Sequence, residues 1–177
     1  MRFLALLPLL AALAACAGRS GPVMLDDKDR RPTREDSASE ERKAREALAD
    51  IEDKITRKTK AIIVVHLYGV VADLGPILRI AKKHKLFVIE DCAHAHGSQW
   101  RGKGCGSLGQ FGTFSLQMGK TLTCGEGGIV LTNDEDLAAK AYAFHHIGRF
   151  PGRPFYEHHI TASNLRMTEW QGAIACC

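Results

Sequence analysis

The chain has 177 residues, 45% hydrophobic and 25% charged, which suits one soluble globular domain with a core of its own. Its net charge of +4 is mild, and no basic stripe interleaved with aromatics is present, so nothing points to nucleic acid. The six cysteines, Cys16, Cys92, Cys105, Cys124, Cys176 and Cys177, form no CxxC pair. A chain this well supplied with apolar residues needs no disulfide scaffold, so they read as mostly reduced thiols.

Residues 1–20 stand apart. One arginine precedes an apolar stretch from Phe3 to Ala15, and small residues follow. That is the layout of a secretory signal peptide, too short to span a bilayer. Leu13-Ala14-Ala15-Cys16 also has the form of a lipobox, in which Cys16 would carry the lipid and anchor the protein to a membrane. A misplaced start or a rearranged gene is the other reading, and both stay open. Residues 21–47 are polar and of mixed charge, as in a linker. A weak apolar stripe through Ala44, Ala47, Leu48 and Ile51 predicts a helix near its end.

The pattern then changes. Ala61 to Val65 is a β-branched run, expected of a strand covered on both faces. Asp73 to Lys85 carries Leu74, Ile77, Leu78 and Ala81 at helical spacing, with Lys82, Lys83 and Lys85 where cations favour the helix dipole. Leu86 to Ile89 is a second apolar run. Strand, helix, strand makes a βαβ unit with parallel strands, and ligands of such sheets sit beyond the strands' carboxyl ends. His66 and Asp91 fall at those ends. Gly102 to Gly109 reads as loop, Phe111 to Leu116 and Gly128 to Thr132 as strands. Asn133 or Asp134 caps a helix through Phe144, Gly148 to Pro154 is loop, and Met167 to Cys177 begins a helix.

The chemistry gathers between Leu86 and Gly128. The apolar run ends on Glu90 and Asp91, and Lys120 sits in a small-residue loop before Gly125-Glu126-Gly127-Gly128. A strand-end carboxylate and a loop lysine suit pyridoxal 5'-phosphate (PLP), which takes a lysine at its aldehyde and an acid at its pyridinium nitrogen. A metal site is the rival. Cys92, His94 and His96 alternate and on a strand would share one face, with Cys105 nearby and His145-His146 and His158-His159 as further donors. The recognisable zinc spacings are absent, so no metal is assigned.

DCAHAHG, FSLQMGKTLTCGEGG and NLRMTEWQGA, in this order, resemble the DegT/DnrJ/StrS family of PLP-dependent sugar aminotransferases. AIIVVHLYG and IAKKHKLFVIEDCAHAHG are similar to the same family, and the likeness covers residues 48–177. It implies an α/β fold: part of the large domain of a fold-type-I PLP enzyme, with a mostly parallel central sheet flanked by helices. By position it makes Lys120 the Schiff-base lysine, which sheds its proton to attack an aldehyde and then acts as general acid and base. It sets Asp91 on the pyridine nitrogen and His94, where the family has glutamine or histidine, on the ring oxygen. Ser115 would hold the cofactor phosphate, and Asn164 would reach the phosphate of a neighbouring subunit's cofactor, which implies a homodimer. Leu165 replaces the family's usual tyrosine without touching Asn164. Glu126 to Gly128 reads as a tight turn supporting the lysine loop.

The implied reaction moves an amino group from glutamate or glutamine to a keto group of a nucleotide-linked sugar or a keto-cyclitol, in the cytoplasm unless Cys16 is lipidated. Relatives that dehydrate instead carry histidine at the lysine position, so Lys120 argues for transamination. Family members are about twice this length, with an upstream Gly-Thr/Ser phosphate loop, a ring stacked on the pyridine and a C-terminal small domain that this sequence does not show. The expectation is therefore a partial large domain, which alone performs the family chemistry poorly or not at all. The alternative is a truncated, inactive, lipid-anchored remnant of such an enzyme.

Overall fold

The computed structural model describes residue 42 and residues 46–177. The chain divides into two units, Met1–Glu40 and Glu41–Cys177, and every described residue lies in the second. The signal-like segment, Cys16 and most of the proposed linker lie outside the described residues. No helix among the described residues is long and apolar enough to cross a membrane.

Helix α1 is described over residues 46–53. There follow β1 (Ala61–Val65), α2 (Leu74–His84), β2 (Phe87–Asp91), β3 (Gln99–Trp100), β4 (Lys103–Gly104), β5 (Phe111–Ser115), β6 (Gly128–Leu131), α3 (Glu135–His145) and α4 (Glu169–Ala175). The main sheet runs β1-β2-β5-β6, and only its last pair is antiparallel. This is the mostly parallel α/β sheet that the sequence implies.

The βαβ unit forms for the reasons its residues suggest. The Asp73 side chain caps α2 by accepting from Gly75 N (3.2 Å). Lys85, at φ 54°, ends the helix in the left-handed region and turns the chain into β2. Leu74, Ile77 and Ala81 bury one face of α2 against Val64 and Val88, while Leu48 and Ile51 of α1 pack alongside. Full burial of a residue such as Leu74 contributes about 1.5–3 kcal/mol. This core covers one side of the sheet. On the other side Ile63, Val65, Phe87 and Val130 are exposed.

Alternation along β2 sends Glu90 into the covered side, where it is fully buried, and Asp91 to the other. Asp91 pairs with Thr113 of β5, so Ser115, two residues on, shares its face.

The glycine-rich stretch is not all loop. Gln99–Trp100 and Lys103–Gly104 form a short antiparallel hairpin. Its turn residues, Arg101 and Gly102, both have positive φ (50° and 77°), the primed turn whose twist matches a hairpin. The Arg101 guanidinium lies 4.5 Å over the Trp100 ring, a contact that offsets the left-handed backbone of a non-glycine residue.

Candidate active site

A hollow of about 400 Å³ opens at the carboxyl ends of the parallel strands, lined among others by Tyr68, Gly69, His94, His96, Lys120 and Thr121. A second hollow, about 440 Å³, lies at the opposite ends of β1 and β2 between Ile55 and Leu86. The first coincides with the predicted chemistry.

One wall is the turn after β1. Val70 N donates to Leu67 O (2.9 Å), Gly69 N to His94 O (2.8 Å), and Ser98 Oγ to Gly69 O (3.2 Å). The turn is thereby tied to residues 94–98, and the rings of Tyr68 and His94 sit 5.3 Å apart. The other wall is the lysine loop. Its base is closed by Leu116 N to Gly127 O (2.9 Å) and Cys124 N to Leu116 O (3.2 Å). Lys120 N donates to Gln117 O (2.9 Å), and Gly119 N to Gln117 Oε1 (2.8 Å). The half-buried Lys120 is held by its backbone, and its Nζ bonds no described residue.

The structure thus brings two of the five predicted site residues, His94 and Lys120, into one hollow. Asp91 and Ser115 end neighbouring strands on one face but do not line it. Asp91 Oδ1 accepts from Ala93 N (3.0 Å), and Ser115 Oγ from Gln117 N (3.3 Å). Asn164 is exposed and outside the hollow; its Oδ1 accepts from Arg166 N (3.3 Å). Its backbone pairs with His146 at the end of α3, where Arg166 also donates to His146 Nδ1 (3.0 Å). Burial, and then the charges of Arg166 and Arg149, hold His146 below the ordinary imidazole range.

Beneath the site lies a buried network that the sequence reading did not assign. Glu90 Oε1 accepts from Leu108 N and Gly109 N (both 2.7 Å), and Oε2 from Gly106 N (2.9 Å). Oε2 also meets His66 Nε2 at 3.1 Å. Ala72 N donates to His66 Nδ1 (3.3 Å), so the ring proton belongs on Nε2, where it points at Glu90. Burial would push the Glu90 carboxyl up. The N–H groups of Gly106 and Gly109, then His66 and Leu108, outweigh it and hold Glu90 below the ordinary carboxylate range. The signal available in the sequence was the Gly104–Gly109 run, whose open backbone can supply several N–H donors to one anion.

Residues 93–97 are turns and a break rather than strand, so Cys92, His94 and His96 share no strand face. Among the described residues the converging ligand atoms are those of His66, Glu90 and Cys92, within 4.8 Å. They are already committed. Glu90 takes four donors, both His66 nitrogens are used, and the Cys92 thiol is pushed up to about 12 by burial and then by the charge of Glu90. His145 Nδ1 contacts Tyr142 O, His158 Nδ1 contacts Ile147 O, and His159 pairs with Glu157.

This parallel-stranded α/β layer, with Lys120 and His94 lining one hollow at the strands' carboxyl ends, has the fold of aminotransferase large domains. The chain belongs to the DegT/DnrJ/EryC1/StrS aminotransferase family, whose model matches residues 42–177. It is 49% identical over 126 residues to GDP-perosamine synthase of Caulobacter vibrioides, covering 71% of this chain and 34% of that protein. It is 54% identical over 93 residues to L-glutamine:scyllo-inosose aminotransferase of Streptomyces griseus, covering 52% of this chain and 22% of that one. The crystal structure of an aminotransferase from Psychrobacter cryohalolentis superposes with a TM-score of 0.68 at 39% identity, covering 73% of this chain and 35% of that one. The chain therefore spans between about a fifth and about a third of the length of these curated relatives.

Proposed function

We propose that this chain carries the lysine half of a PLP-dependent aminotransferase site, in a protein that transfers an amino group from glutamate or glutamine to a keto group on a nucleotide-linked sugar. A keto-cyclitol is the second acceptor class. The observation that carries the reading is the shared hollow of Lys120 and His94 at the strands' carboxyl ends. Family membership, and the sugar and cyclitol substrates in the relatives' names, support it.

The residues present fit PLP. Both ring nitrogens of His96 are screened from solvent and have no partner among the described residues, an exception among buried polar groups that a ligand in the hollow would account for. Asp91 Oδ1 is bonded within its own turn, while Oδ2 takes no hydrogen bond from the described residues. When bound, the cofactor would supply an electron sink for the carbanion formed at the transferred amine's carbon. Lys120 would hold it covalently through Nζ and, once released, carry a proton on Nζ between the two carbon centres. Asp91 would keep a proton on the ring nitrogen, and His94 would orient the ring through its oxygen. Ser115 Oγ would donate to the phosphate, and Asn164 would serve the site of a second subunit, making the working form a homodimer. Such a protein would work in the cytoplasm, with membrane attachment only through a lipidated Cys16.

The test is an absorbance titration of the chain with PLP beside Lys120→Ala. A yellow band that requires Lys120 supports the reading. A folded chain with no such band defeats it, and the remnant reading then takes its place.

A further inference from the structure

Helix α4 does more than follow the site in sequence. Thr168 and Gln171 form a capping box: Gln171 N donates to Thr168 Oγ1 (3.3 Å), and Gln171 Oε1 accepts from Thr168 N (2.9 Å). That uses one end of the Gln171 amide. The other end, Nε2, donates to Glu126 O at 2.7 Å, across 45 residues. Next to this contact Gly127 stands at φ +147°, and a Cβ there would lie 2.6 Å from Met167 Sδ. Gly127 O in turn accepts from Leu116 N, the bond that closes the base of the lysine loop.

We infer that Gln171 and Met167 are positioning residues that latch the Lys120 loop. The Gln171 amide fixes the Glu126 carbonyl, and Met167 occupies the space that the missing side chain of Gly127 leaves. Neither touches Lys120; both act through the Glu126–Gly127 turn. The choice of glutamine follows from chemistry. Glutamate caps a helix as well as glutamine does, but a carboxylate has no N–H and would face the Glu126 carbonyl with like partial charge. The inference rests on the reading of Lys120 as the cofactor lysine only in what the latch is for.

The test is Gln171→Glu in the full chain, followed by hydrogen exchange resolved by peptide. Residues 116–128 should exchange on the order of tenfold faster, the equivalent of one neutral hydrogen bond, while 169–175 keep their protection. The apparent affinity for PLP, read from the Lys120-dependent band, should fall by a similar factor. Unchanged exchange in 116–128 overturns the latch. If α4 opens as well, the cycle Gly127→Ala, Met167→Ala and their double decides. The double should recover part of the loop protection lost in Gly127→Ala, and strict additivity overturns the inference. A loop that loosens in Gln171→Glu, in a chain that never yields the band, keeps the latch and retires the cofactor reading. A band with an unmoved loop does the reverse.

Discussion

Replacing Glu90 by glutamine changes one atom's chemistry and keeps the shape, so its effect can be worked from the contacts. The carboxylate is fully buried and accepts four hydrogen bonds, two at each oxygen. A glutamine amide accepts at one end only, and its NH2 would face two donors at the other. With the amide facing one way the orphans are Gly106 N and His66 Nε2; with the other they are Leu108 N and Gly109 N. His66 cannot adapt by moving its proton, because Ala72 N already points at Nδ1. Two lost hydrogen bonds to a charged group cost about 3–6 kcal/mol, against a total stability of about 5–15 kcal/mol for a domain. Urea unfolding followed by circular dichroism should show that loss. The pH dependence gives a second reading. Glu90 is held below the ordinary carboxylate range, so its contribution is full above the unfolded value of about 4.3 and is lost as pH falls through the folded one. That share of the acid dependence should vanish in Glu90→Gln. A stability loss under about 1 kcal/mol would refute the four-donor account.

Thiol chemistry should divide by burial. At pH 8, iodoacetamide should modify the exposed Cys176 and Cys177 and leave the buried Cys92 and Cys105 untouched in folded protein; early labelling of Cys92 would contradict the burial that pushes its thiol to about 12. With a raised folded value, the stability that Cys92 lends is full below the ordinary thiol range and declines as pH rises toward 12. Gly112→Ala should cost about 1–3 kcal/mol, because the new methyl would run into the backbone of Gly106. A thermal midpoint equal to that of the unsubstituted chain would show that the 104–109 loop can retreat.

The βαβ unit was legible because its signals are local: β-branched runs, helical spacing and a cationic end all fall within Ala61–Asp91. Lys120 and His94 were reached through motif resemblance, and the topology that brings them together could be argued from parallel strands. The Glu90–His66 network was not legible, since three of its four donors are backbone N–H groups lying 16 to 19 residues downstream. Nothing in a glutamate beside an aspartate says which of the two is buried. The β3–β4 hairpin escaped for a different reason. Primed turns are signalled by asparagine or aspartate before glycine, and Arg101 holds the left-handed position here with its side chain on Trp100. The contact of Gln171 with Glu126 joins segments 45 residues apart, and no periodicity records it.

Glu90 and Asp91 are chemically almost the same residue, and it is the pleat of β2 that divides their labour. β2 is hydrogen-bonded on both flanks, with Glu90 opposite Val64 and Gly112 and Asp91 opposite Val65 and Thr113. A slip of one position would send the clamp of the glycine loop out to the open face and drive the other carboxylate into the core. An insertion or deletion of one residue between Lys85 and Glu90 is therefore an exchange of identities between two acids, felt at once by the core and by the site. The spacing within LFVIED is as much a part of the site's specification as the acids themselves.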